Sequence, residues 1–105
     1  MFTVVWLVKK RADLSQEEFA RYWIDEHTPL TAATPGMHSY RCYPMVAHDG
    51  AAPSFDAIAF ATFDDEAAWR VAEQSPELQA AIADAVNFQE VDLTQSFYAA
   101  EHVIR

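Results

Sequence analysis

The chain has 105 residues, 51% of them apolar and 13% aromatic, and carries a formal net charge of -9. That length allows one hydrophobic core, so residues 1–105 are read as a single domain. Only seven Lys and Arg stand against sixteen Asp and Glu, and apart from Lys9, Lys10 and Arg11 they are scattered, which excludes the clustered basic footprint of a nucleic-acid binder.

Phe2 to Lys9 is apolar at odd and even positions alike, which predicts a central strand covered on both faces. Its basic residues follow the apolar run instead of preceding it, unlike a secretory signal, and no stretch has the length of a membrane span. With Cys42 as the single cysteine there is no internal disulfide, and the expected compartment is the cytoplasm. The basic trio is expected to end the strand at a solvated edge.

Ser15 and Glu18 make a capping box, with Leu14 and Phe19 placed for a hydrophobic staple, so a helix starts here. Along it Phe19, Trp23, His27 and Leu30 recur at spacings of four and three, which puts His27 on the inward stripe and turns Tyr22 away from it. Pro35-Gly36 ends the helical stretch. Met37 to Val46 reads as a second strand with His38, Tyr40, Cys42 and Pro44 on one face, and Pro44 marks an edge or a bulge.

His48 to Pro53 is a loop, and Phe55 to Phe63 is a third strand whose alanines permit close packing. Asp64, Asp65 and Glu66 put negative charge at the start of a second helix carrying Trp69 and Val71-Ala72. Ser75-Pro76 restarts a helical segment to about Val86, and Leu93 to Val103 is the last strand. The order βαββαβ predicts an α+β, ferredoxin-like antiparallel sheet with its helices on one face. Strands one and three are apolar on both sides and the chain offers no third layer, so a second copy is the expected cover and a two-fold homodimer the expected assembly.

Three residues stand out chemically. His27 can give and take a proton near neutrality. Tyr40 can donate a hydrogen bond to an oxygen on which charge develops, and Asp56, the one carboxylate early in an apolar strand, can orient His27 or act as a second acid or base. Trp23, Tyr22, His38 and Phe60 are the expected substrate contacts. Cys42 reads as a buried thiol. His27, His38, His48 and His102 show no metal-ligand spacing, and with Gly36 and Gly50 as the only glycines there is no phosphate-cradling loop, so neither metal nor nucleotide cofactor is expected.

Tyr22-Trp23, His27, Pro29-Leu30, Pro35-Gly36 and Tyr40 together resemble the EthD family of dimeric α+β barrels, as do Phe55-Asp56 and Phe63-Asp64-Asp65. The resemblance spans most of the chain. It implies a barrel of two sheets, one pocket per subunit, and kinship with methylmuconolactone isomerase-like enzymes, polyketide cyclases, decarboxylases and cofactor-free monooxygenases. By that likeness His27 matches a helical His assigned to proton transfer, and residues 35–40 match the stretch supplying a substrate-contacting Tyr. The expected function is cofactor-independent acid/base chemistry, of isomerase, cyclase or lyase type, on a small cyclic or aromatic carbonyl compound in a catabolic or secondary-metabolite pathway, the expected partner being a small apolar or aromatic organic molecule. The alternatives are a cofactor-free or haem-related monooxygenase, with Trp6, Trp23 and Trp69 as pocket walls, and a non-catalytic binding protein for an apolar metabolite.

Overall fold

A computed structural model describes all residues 1–105. Strand β1 (Phe2–Val8) lies between β3 (Ala57–Phe63) and β4 (Gln95–Ala100), while β2 (Ser39–Pro44) forms the far edge, and every neighbouring pair is antiparallel. The doubly apolar β1 is thus central. Pro44 sits on an edge strand, where its missing N–H leaves no central ladder incomplete. The last strand is shorter than its apolar pattern predicts, because Ala100 already pairs with Phe2, the first residue of β1.

Helices α1 (Gln16–Tyr22), α2 (Thr28–Ala32), α3 (Glu66–Glu73) and α4 (Pro76–Asp84) all follow from local signals. Ser15 accepts from the Glu18 amide and Glu18 accepts from the Ser15 amide, each at 3.0 Å, so the capping box is complete. Asp65 and Ser75 cap α3 and α4 by accepting from the amides of Ala68 and Leu78. Between α1 and α2 the backbone makes one π-helical turn, Trp23–His27, in which the Thr28 amide donates to the carbonyl five residues back, Trp23.

The result is a four-stranded antiparallel α+β fold of ferredoxin-like order with its helices on one face. Strand periodicity sorts the side chains. Val4, Trp6 and Val8 of β1, with Ala57, Ala59, Ala61 and Phe63 of β3, point to the helices, and the alanines let bulky helical side chains approach the sheet. Two clusters form there. Phe19, Trp23 and Phe88 pack over Val8, Ala57 and Ala59, while Trp69, Ala72, Leu78 and Ala81 pack over Val4, Ala61 and Phe63. Trp6 and Tyr40 touch both clusters without fusing them. On the opposite face Phe60 pairs with Val5, which pairs with Phe97, and no helix covers that row.

Candidate active site

The gap between the two clusters is a cavity of about 300 Å³, at the small end of the range for ligand pockets. Trp6, Val4, Val8, Ala59 and Tyr40 floor it from the sheet, Trp23, His27 and Thr31 wall it from the first helical stretch, and Trp69, Leu78, Ala81 and Phe88 close it from the second. Its rim runs along Ile82, Val91, Ser96 and Tyr98, all exposed, beside the edge strand β4. Trp6 meets Tyr40 and Trp69 edge-on, with ring centroids 6.4 and 6.3 Å apart, so the cavity presents flat aromatic walls.

His27 is 9% exposed and held at both ring nitrogens. Nδ1 lies 3.0 Å from Oδ2 of Asp84, the last residue of α4, and Nε2 lies 3.3 Å from Oγ1 of Thr31. Asp84 is itself gripped: Tyr22 Oη donates to its Oδ1 at 2.7 Å and Asn87 Nδ2 donates to the same oxygen at 2.9 Å. The Phe88 ring packs on the imidazole at 4.5 Å and on Tyr22 at 5.5 Å, covering one side of the cluster.

These contacts set the charge states. Burial pushes the His27 imidazole below its ordinary value, with the hydrogen bond and charge of Asp84 opposing, so the ring is neutral at pH 7. Burial acts to raise Asp84, but the hydrogen bonds from Asn87, Tyr22 and His27 outweigh it and hold the carboxyl below its usual range. The bond to Asp84, and then burial, raises the Tyr22 phenol. Tyr40 is driven well above an ordinary phenol by burial, Cys42 adds to the rise and the Thr31 hydroxyl opposes it. It remains a hydrogen-bond donor. Burial likewise raises the Cys42 thiol, which leaves it a poor nucleophile.

Of the residues singled out from sequence, the cavity gathers His27, Tyr40 and Trp23. Tyr22 does not turn away from His27 as an α-helix would require. The π-helical turn brings positions five apart onto one side, so Tyr22 and His27 meet at the same carboxylate. The same turn displaces Leu30, which is 36% exposed, and buries Thr31 in its place.

Asp56 does not orient His27. Just before β3, its Oδ2 accepts from the Lys10 amide at 2.8 Å and lies 4.0 Å from the Lys9 ammonium, and it does not line the cavity. His38 precedes β2, is exposed, and pairs with Asp64 at 2.6 Å. Phe60 points to the helix-free face, as alternation along β3 dictates.

Asp84 and Thr31 escaped the sequence reading. One signal for Asp84 was present: a carboxylate in the last turn of a helix, with no basic residue beside it, opposes the helix dipole by about 0.3–1 kcal/mol and needs a compensating role. No three His, Cys, Asp or Glu side chains converge as a metal site, and no helix is long and apolar enough to cross a membrane.

The model of the EthD domain matches residues 11–92. An EthD family protein from Bacillus halodurans is 22% identical and superposes with a TM-score of 0.83, the match covering 97% of this chain and 99% of that one. A dimeric ferredoxin-like protein of unknown function from Thermobifida fusca is 19% identical with a TM-score of 0.74, covering 95% of this chain and 90% of its own. SnoaB, a cofactor-independent oxygenase from Streptomyces nogalater, is 15% identical with a TM-score of 0.68, covering 98% of this chain and 95% of its own. At such identities these likenesses show the fold. No curated protein matches the chain.

Proposed function

The chain belongs to the EthD family, and from that premise we propose that it is a small-molecule enzyme that moves a proton on an uncharged, ring-sized carbonyl or phenolic compound without a bound cofactor. The observation that carries this reading is the placement of the neutral His27 imidazole and the protonated Tyr40 phenol on either side of Thr31, around a mostly apolar cavity. The imidazole takes a proton from the carbon beside a carbonyl, the C–H electron pair moves into the new C=C bond, and the charge reaching oxygen meets the Tyr40 hydroxyl. Returning the proton to another carbon gives an isomer; attack of the enolate on a carbonyl carbon of the same molecule gives a ring.

No Lys or Arg lines the cavity, whereas Glu73 is among its lining residues, which favours a guest without negative charge. The likeness to SnoaB favours a second outcome for the same first step, in which the electron-rich anion meets dioxygen. The helix-free sheet face, with Val5, Leu7, Ile58 and Phe60 half-buried and Phe97 exposed, fits pairing with a second copy, and relatives of this fold are described as dimeric. The free thiol of Cys42 fits a cytoplasmic setting.

A panel of uncharged enolisable ketones, 2-tetralone, 1-indanone and acetophenone, tests the reading. Binding is followed by tryptophan fluorescence and deuterium uptake beside the carbonyl by NMR in D2O. Saturable, catalysed exchange that falls by about 10²–10⁴-fold in His27→Gln is expected. Binding without exchange across the panel would leave a passive carrier, and oxygen consumption during turnover would select the oxygenase outcome.

A further inference from the structure

The carboxylate at the end of α4 has a consequence for which ring nitrogen does the work. Asp84 is ionised and can only accept, and its Oδ2 stands 3.0 Å from His27 Nδ1, so the hydrogen between them belongs to Nδ1. A neutral imidazole with its proton on Nδ1 has its lone pair on Nε2. That atom faces the Thr31 hydroxyl at 3.3 Å, on the cavity wall, and the hydroxyl can turn its hydrogen toward the lone pair at rest and away from it when a guest arrives.

We infer that Asp84 is a positioning residue that locks His27 in the Nδ1–H tautomer, so that Nε2, beside Thr31, is the atom that takes the guest's proton. Asp84 is suited to this role because its other oxygen is satisfied by two donors, Tyr22 Oη and Asn87 Nδ2, which fix the carboxylate plane and keep it charged in a half-dry place. The lock holds because its parts come from different elements: Tyr22 closes α1, His27 closes the π-helical turn, Asp84 closes α4, and Asn87 closes the turn after it. When Nε2 takes a proton the ring becomes a cation, and Asp84 on the far side stabilises that charge without itself accepting the proton. The catalytic part of this inference rests on His27 being the base; the tautomer does not.

Full-length protein labelled with ¹⁵N-histidine tests both parts. Long-range ¹H–¹⁵N spectra at pH 7.5 are expected to show His27 with a protonated Nδ1 and an unprotonated Nε2. In Asp84→Asn, whose amide can donate to Nδ1, the pattern reverses, while Tyr22→Phe keeps the wild-type pattern. A wild-type ring protonated at Nε2 overturns the inference with no variant needed, as does a folded Asp84→Asn with an unchanged pattern.

In the 2-tetralone exchange assay Asp84→Asn is expected to lose up to about 10⁴-fold in kcat, the loss known where such a change leaves an imidazole in the wrong tautomer, with KM within a few fold of wild type. A reversed tautomer with undiminished kcat removes Nε2 as the proton-taking atom. The expected wild-type tautomer with no exchange in any ketone would sink the enzymatic reading and leave the lock itself standing.

Discussion

Protonating an imidazole buried away from water is unfavourable, and the pH dependence of stability should register it. The folded-state value of His27 lies below its unfolded value of 6.5, so below 6.5 the unfolded chain binds more protons than the native one. The contribution of His27 is therefore complete above pH 6.5 and is lost as pH falls through the lowered folded value. Asp13, Glu18 and Asp84 also have lowered values, but their contributions disappear only as pH falls below their unfolded values of 3.8 to 4.5. Urea titrations between pH 7.5 and 5 should show wild type losing stability while His27→Gln stays nearly flat; parallel curves would refute the assignment. At this scale the sequence put His27 on an inward helical stripe and marked Tyr40 by its place in the EthD-like stretch, and both line the cavity. It concealed Asp84, which is 57 positions from its partner and meets it only through the packing of α2 on α4.

Helix boundaries were the most legible elements, since capping chemistry is written in adjacent residues. Ser75 shows what such a cap does for the site. Its hydroxyl donates to the Ala72 carbonyl at 2.6 Å, closing α3, and accepts from the Leu78 amide at 3.2 Å, opening α4, so one buried side chain fixes the corner from which α4 runs to Asp84. Ser75→Ala should destabilise the fold by about 1–2 kcal/mol. For a domain of this size that lowers Tm by about 4–8 °C per kcal/mol, measurable by calorimetry. An unchanged Tm would mean that packing alone sets the corner. The π-helical turn was not legible, because a reading at 3.6 residues per turn cannot show where one extra residue is accommodated, and Tyr22 was misplaced for that reason.

Across the whole molecule the βαββαβ order and the one-sided helix layer could be read from the alternation of strand and helix patterns, which are local. The EthD resemblance implied a pocket, but the local patterns could not place its walls, since it arises where two clusters fail to merge over Trp6 and Tyr40. The uncovered sheet face carries the remaining large-scale prediction. Phe60 stands at its centre, between Arg41 and Val5 in the register, and Phe60→Glu would set a carboxylate into the proposed dimer contact. Analytical ultracentrifugation should show wild type as a dimer and the variant as a folded monomer at micromolar concentration. A variant that stays dimeric would move the interface elsewhere.

The groups of the proposed site are spread over separate segments: Tyr22, His27 and Thr31 travel with the first helical stretch, Tyr40 with β2, and Asp84 and Asn87 with the end of α4 and the turn after it. A nascent or loosened chain, its backbone ordered but its layers not yet clasped, carries every ingredient and none of the alignment. On the proposed reading, reactivity therefore arrives with the closing of the layers, and a partly assembled copy would be idle instead of partly active.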